Sequence, residues 1–208
     1  MRFPFHTSLA ITSLFFLLTA CSESFTDSRD GQSYDVVKIG DLTWMVENLN
    51  YETETSACPD GDSRNCKRMG RLYTWAEAKT VCPEGWRLPT KSDFEALVIA
   101  ASGDAAQPHA GAKLKSRDGW FKKGNGTDDF GFIALPAGYR GAILKADDGS
   151  ITGGKFDGIG GYAYFWSADE DAENPESNAY YLFLSFSSDA ASLNAFAKED
   201  YRSVRCVR

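Results

Sequence analysis

The chain has 208 residues, of which 43% are hydrophobic and 25% charged. This balance is typical of a packed globular domain and unlike a disordered protein. The formal net charge of −7 disfavours a nucleic-acid partner, because an acidic surface repels phosphate groups.

The N-terminus has the pattern of a bacterial export signal. A positive charge at Arg2 is followed by an apolar run over 9–18, which is shorter than the about 20 residues that a membrane-spanning helix needs. The run leads into Leu-Thr-Ala-Cys, ending at Cys21, which resembles a lipobox. We therefore expect a lipoprotein signal peptide over 1–20 and lipid on Cys21; the alternative is an ordinary signal with an incidental cysteine. A polar tether over 21–33 and a single domain over 34–208 are expected to follow.

The predicted elements of this domain change in kind along the chain. Gly40-Asp41 separates two β-favouring runs, at 34–39 and 42–46, which is the pattern of a hairpin. Thr74 begins a short helix with the Thr-x-x-Glu capping-box pattern, and Thr90 begins a longer helix that stops at Gly103. A polar loop is expected over 103–126. Apolar runs then predict short strands at 132–135, 141–144, 162–166, 180–186 and 203–207. This order predicts an α+β fold with two short helices and several short antiparallel strands.

Four cysteines remain if Cys21 carries lipid: Cys58, Cys66, Cys82 and Cys206. An even set in an exported domain predicts disulfides, for which three connectivities are possible. The segment between Cys58 and Cys66 is rich in turn residues, which favours a bond between these two and leaves Cys82 to pair with Cys206. A zinc site is disfavoured because the sequence has no Cys-x-x-Cys pair and His109 is the only histidine after the signal.

Six ordered motifs resemble one family of exported bacterial proteins, which are often lipoproteins. They are Ile39–Leu49, Gly70–Trp75, Cys82–Thr90, Ala134–Arg140, Tyr164–Ser167 and Ser203–Arg208. Together they resemble the Fibrobacter succinogenes major paralogous domain (FISUMP) over about 31–208. The family likeness implies an envelope location and supplies no established activity.

A more distant likeness rests on Trp86–Thr90 at the start of a helix and on Arg205-Cys206-Val207 at the chain's end. These segments are similar to the formylglycine-generating enzymes and the C-type-lectin-like group. The likeness implies a compact, disulfide-stapled α+β fold whose last strand returns to the centre, in agreement with a Cys82–Cys206 bond. It does not carry over catalysis, because those enzymes use a late cysteine pair and this chain has only Cys206 there. We assign no catalytic residue.

Two groups of residues are candidates for binding. C-type lectins bind Ca²⁺ with loop carboxylates and amides, and Asp169, Glu170, Asp171, Glu173 and Asn174 offer such oxygens; a solvated acidic loop is the alternative, and no other cofactor is expected. Trp120 and Phe121 lie in a polar stretch and are the best candidates for exposed rings that stack on sugars, although burial under the loop is the alternative. The other tryptophans, Trp44, Trp75, Trp86 and Trp166, are expected in the core.

These observations favour a non-catalytic binding module anchored to the cell envelope, at the outer membrane or cell surface. Its partners are expected to be the membrane, through the lipid on Cys21, and an extracellular ligand, with polysaccharide first among the ligand classes. The alternatives are a structural envelope protein without a small ligand and a divergent enzyme of the formylglycine-generating type.

Overall fold

The computed structural model describes residues 23–103 and 108–208. The expected signal peptide and Cys21 lie outside this range, so they stay predictions. The described strands are β1 Ser24–Thr26, β2 Ser33–Ile39, β3 Leu42–Met45, β4 Leu72–Tyr73, β5 Ala137–Arg140, β6 Ile143–Lys145, β7 Ile151–Gly153, β8 Phe156–Ile159, β9 Tyr162–Glu170, β10 Asn178–Ser185, β11 Ala191–Ala197 and β12 Arg202–Ser203. The described helices are α1 Ser63–Met69, α2 Trp75–Val81, α3 Lys91–Ser102 and α4 Ala110–Leu114, with a 3-10 turn at Pro59–Gly61. In the part of the chain that the structure describes, no helix is long and apolar enough to cross a membrane.

A five-stranded sheet in the order β11-β10-β9-β12-β4 forms the centre of the domain. Its neighbours are antiparallel except for β12, which lies parallel to β9. A second sheet, β1-β2-β3, contains the N-terminal hairpin, and two ribbons pair β5 with β8 and β6 with β7. The arrangement is α+β, as the sequence predicts, and consists of several small and mainly antiparallel sheets.

Local sequence explains the elements that were predicted well. Ile39 pairs with Leu42 across the two-residue turn, where Gly40 has a φ of 63° that suits a glycine. Thr74 and Thr90 each accept a hydrogen bond from the third residue of their helices in complete capping boxes. Gly103 ends α3 in the left-handed conformation.

The core has two main parts, one on each side of the central sheet. Helix α3 packs Phe94, Leu97 and Val98 against one face of β9 and β10. The second part surrounds Cys206 and contains Leu88 together with the expected core residues Trp75, Trp86 and Trp166. Trp86 and Leu88 therefore pack in this second cluster, away from Phe94 and Leu97.

Both expected disulfides are present, and they close loops of very different length. Cys58–Cys66 closes a short loop of eight residues' separation, whereas Cys82–Cys206 joins positions 124 residues apart. The second bond links the end of α2 to the buried C-terminal segment. The return of the chain's end to the centre is thus fixed covalently.

The structure differs from the sequence prediction in several elements. Four α-helices are described where two were expected, because α1 begins within the Cys58–Cys66 loop and continues to Met69, and α4 lies in the polar stretch after Gly103. The run 132–135 makes only an isolated bridge through Ala134. The folded region also begins before residue 34, so the expected tether is too long: β1 pairs with β2, and the Phe25 ring lies 5.3 Å from that of Trp86.

Candidate ligand-binding site

The face of the central sheet that points away from α3 is rich in aromatic side chains. On β9 and β10, Ala163, Phe165, Leu182 and Leu184 point into the core with α3. Because strand residues alternate between faces, the residues between them project from the opposite side. The antiparallel register places Phe183 opposite Tyr164 and Tyr181 opposite Trp166, so rings from neighbouring strands lie side by side.

These rings form a continuous surface, which we call the aromatic face. It consists of Phe121, Tyr139, Tyr162, Tyr164, Tyr181, Phe183, Phe186 and Phe196. Centroid distances along it are 5.6 Å for Tyr164–Tyr181, 5.1 Å for Tyr164–Phe183 and 5.7 Å for Tyr162–Phe183. These distances fall within the range of favourable aromatic pairs. Phe121 and Phe196, at opposite ends, are 53% and 56% exposed, and the rings between them are partly exposed.

The tyrosines of this face also provide polar groups. Within the described ranges, the hydroxyls of Tyr139, Tyr162, Tyr164 and Tyr181 make no hydrogen bond to another residue of the chain. Burial raises the pKa of the Tyr164 and Tyr181 phenols, while the nearby Arg202 charge opposes the shift. Both phenols are therefore neutral at physiological pH and can donate or accept a hydrogen bond.

A cavity of about 190 Å³ opens at the Phe196 end and is lined by Arg202 and Asp200 together with four rings of the face. The Arg202 guanidinium lies 4.3 Å from the Tyr181 ring centroid and 4.7 Å from that of Trp166, which is a cation–π arrangement. Its side chain is 2% exposed, and Nη2 donates to Asp200 Oδ2 at 3.0 Å. Burial lowers the pKa of Arg202 and raises the pKa of Asp200, and in each case the partner's charge opposes the shift.

A second cavity, of about 430 Å³, lies at the Phe121 end. Its walls combine the rings of Phe121, Phe156, Tyr162 and Phe186 with the carboxylates of Asp60 and Asp157. The Cys58–Cys66 disulfide closes the loop that carries Asp60, whose φ of 57° is uncommon for a residue other than glycine.

Gly160 packs closely against Phe121 at the edge of this second cavity. Phe121 N donates to Gly160 O at 2.7 Å, and a Cβ added at Gly160 would lie 2.4 Å from the Phe121 ring. A side chain at position 160 would therefore displace the ring from the aromatic face. The close approach explains why the loop needs a glycine there.

Two larger cavities lie elsewhere, one of about 460 Å³ beside Trp75 and one of about 530 Å³ beside Trp44. In each of them the tryptophan is almost fully buried, at 5% and 1% exposure. Neither cavity presents a row of accessible rings, so the aromatic face is the better candidate site.

The structure separates the two aromatic residues that the sequence paired as ligand candidates. Trp120 is 5% exposed, and its Nε1 donates to Ser116 Oγ and to Ala134 O, both at 3.1 Å. The expectation that it is an exposed ligand residue is therefore wrong: the indole fills the space under a polar loop and joins the α3 core cluster. Phe121 alone reaches the surface and belongs to the aromatic face.

The five residues of the acidic segment are not brought together as metal ligands. Asp169 Oδ2 accepts from Lys91 N at the start of α3, and Glu170 pairs with Lys198. Asp171 is buried, accepts from Glu173 N and lies 3.3 Å from Asn174 Nδ2. Across 23–103 and 108–208, no group of three or more His, Cys, Asp or Glu residues could hold a metal ion. Asp169 stabilises the start of α3, Asp171 stabilises a turn, and Glu170 forms an ion pair.

The sequence prediction missed the residues that give the site its shape. Tyr162, Tyr164 and Tyr181 were included in predicted strands, but only as part of a pattern that packs a core. Asp200 and Arg202 were not singled out. The available signal was the spacing by two of Tyr162, Tyr164 and Trp166, and of Tyr181 and Phe183, which places these rings on one face of each strand.

Comparison with known proteins identifies the family and no close relative. No curated protein and no solved structure matches the chain, so the more distant likeness to formylglycine-generating enzymes and C-type lectins stays a prediction. Residues 37–208 match the family described as Fibrobacter succinogenes major domain (Fib_succ_major). That range covers most of the chain and includes both disulfides, β12 and the whole aromatic face. The chain therefore belongs to the Fibrobacter succinogenes major domain family.

Proposed function

We propose that this protein is an exported, lipid-anchored module of the cell envelope that binds polysaccharide on its aromatic face. The export and anchoring parts rest on the apolar run and on Leu-Thr-Ala-Cys ending at Cys21. The binding part rests on one observation, the row of eight partly exposed rings between two cavities. A folded soluble domain rarely leaves so many adjacent rings accessible without a partner for them.

The chemistry of this face suits a sugar polymer. The C–H faces of a pyranose are apolar and can lie on aromatic rings, while its hydroxyls need hydrogen-bonding groups at the rim. The free hydroxyls of Tyr162 and Tyr164 and the carboxylates of Asp60 and Asp157 provide such groups. Because the rings run from Phe121 to Phe196, several consecutive sugar units can contact the face at once.

The test is binding of the full-length chain, solubilised in mild detergent, to a panel of soluble glucan, xylan and galactomannan. We expect Phe121→Ala and Phe196→Ala each to weaken binding roughly fivefold, since one ring contact contributes about 1 kcal/mol. Both side chains are more than half exposed, so their removal should leave the melting temperature near that of wild type. Ile99→Ala is the matched control, because Ile99 is 46% exposed and lies on α3, on the other side of the sheet.

Absence of binding to every polysaccharide in the panel would contradict the proposal and favour a structural role in the envelope. An equal loss of affinity in Ile99→Ala would show that the aromatic face is not the binding surface.

A further inference from the structure

The two buried arginines near the C-terminus differ in how their donors are satisfied. Arg205 is fully buried and donates to Asn48 Oδ1 and to the carbonyls of Met45 and Phe132. Arg202 is buried to almost the same degree, yet the hydrogen bond to Asp200 is the one described for its guanidinium. Arg202 Nε is buried without an acceptor among the described residues. An unsatisfied buried donor is costly, and each such group calls for an explanation.

The location of Arg202 indicates what could supply the missing acceptor. The guanidinium lines the 190 Å³ cavity on the aromatic face, between the rings of Tyr139, Tyr164 and Tyr181. This volume is below the about 300–1,000 Å³ of pockets that enclose a drug-sized molecule. The cavity therefore suits one sugar unit, or one substituent of a unit, at the end of the ring row.

The charge of the cavity selects among acceptors. Arg202 and Asp200 form a buried ion pair whose charges cancel, and the chain as a whole carries −7. A carboxylate entering the cavity would lose its hydration and approach the Asp200 carboxylate, an unfavourable combination. A hydroxyl or amide oxygen can accept a hydrogen bond from Arg202 without that repulsion.

We propose that the Arg202 cavity is a subsite that accepts an uncharged sugar group through a hydroxyl or acetamido oxygen and discriminates against uronic acids. The subsite rests on the proposed polysaccharide binding and adds its specificity. Asp200 sets the selectivity because it neutralises the guanidinium, and Tyr181 and Tyr164 hold the sugar against Arg202.

The test compares each neutral polysaccharide of the panel with its carboxymethylated form, using the full-length chain in detergent. We expect wild type to bind the neutral form at least about tenfold more tightly. Asp200→Asn leaves the Arg202 charge unbalanced and should shift the ratio toward the carboxymethylated form by about tenfold or more. Glu199→Gln is the matched control: it makes the same change in net charge one residue away, at an exposed side chain, and should leave the ratio within about twofold.

Each outcome bears on one of the two proposals. If wild type binds no polysaccharide in either form, the proposed function fails and the subsite with it. If wild type binds the carboxymethylated form as tightly as the neutral one, or if Asp200→Asn and Glu199→Gln shift the ratio equally, the subsite is refuted while polysaccharide binding stands. If thermal melts show that Asp200→Asn does not fold, the subsite is tested with wild type and Phe196→Ala instead. For each of them the ratio of neutral to carboxymethylated binding is measured. Phe196→Ala opens the cavity and should lower the neutral-to-acidic ratio at least about threefold; an unchanged ratio refutes the subsite.

Discussion

The two disulfides should contribute very different amounts to the stability of the domain. The perturbation is the double replacement Cys82→Ala with Cys206→Ala, compared with Cys58→Ala with Cys66→Ala. In the chain-entropy model, a cross-link stabilises by restricting the unfolded chain, and the effect grows with the logarithm of the loop length. The separations of 124 and 8 residues give about 4.9 kcal/mol for the long loop and about 2.5 kcal/mol for the short one.

Packing adds to this difference in the same direction. Cys206 is fully buried within the second core cluster, so its truncation also removes contacts with neighbouring side chains. Cys66 is buried at 5% exposure but lies in a smaller surface loop. A net stability of about 5–15 kcal/mol is usual for a domain, so loss of the long-range bond should leave the domain close to unfolding at 37 °C.

Guanidinium unfolding followed by tryptophan fluorescence measures the free energy of unfolding of wild type and of both double variants. The values can be compared directly, since the denaturant and the probe are the same. We expect the unfolding free energy to fall at least about 2 kcal/mol further in the Cys82/Cys206 variant than in the Cys58/Cys66 variant. Equal losses, or a larger loss for the short loop, would refute the argument from loop entropy. Wild type measured with reductant, which breaks both disulfides, gives their combined contribution without substitution.

Three further predictions follow from particular contacts. Trp120→Ala should lower the free energy of unfolding by about 3–5 kcal/mol, because the indole is buried and doubly hydrogen-bonded. Phe121→Ala should change the free energy of unfolding little. Thermal melts that rank the two variants in the opposite order would show that Trp120 is the surface residue. Arg29 lowers the pKa of the Asp27 carboxyl by hydrogen bonding, so this pair stabilises the fold above the ordinary pKa of 3.8 and loses that effect as the pH falls through the lowered value. The stability difference between wild type and Asp27→Asn should therefore shrink below pH about 4 in acid unfolding curves, and a constant difference from neutral to acid would contradict this. Radiolabelled palmitate should enter wild type and not Cys21→Ser in an exporting bacterial host, and equal labelling of both would exclude the lipid anchor.

The parts of the fold that local sequence determines could be predicted. The hairpin at Gly40-Asp41 and the helices after Thr74 and Thr90 were found because turn and capping signals lie within a few residues of the element they begin. Helix α4 has five residues and no side-chain cap at His109. Short helices of this kind are stabilised by tertiary packing and leave little trace in the sequence.

The core residues around Trp120 show where prediction of burial from local composition fails. Asp118-Gly119 and Lys122-Lys123 flank Trp120-Phe121 and suggest an exposed loop on composition alone. In the structure Lys115 is also buried, and its Nζ donates to Ser185 O and Ser188 O. A loop that folds over the sheet can bury large and even charged side chains when distant carbonyls serve as partners. Those partners are about 70 residues away, so local composition could not reveal them.

The candidate site also depends on contacts between residues that are distant in the sequence. Asp200 and Arg202 lie in Lys-Glu-Asp-Tyr-Arg, a charged run that is typical of a solvated turn. The chain instead inserts β12 between β9 and β4, with Ser203 opposite Phe165 on one side and Leu72 on the other. Because β12 lies parallel to β9, its connection to β11 crosses β10 and β9 before it enters the sheet. This crossing places Arg202 beside rings from β5, β9 and β10, within 6 Å of Tyr139, Tyr164 and Tyr181. The aromatic alternation of β9 could suggest a ring surface from sequence. The charged pair that we propose to set its specificity lies beside these rings only because of the strand order, and no local sequence pattern indicates that order.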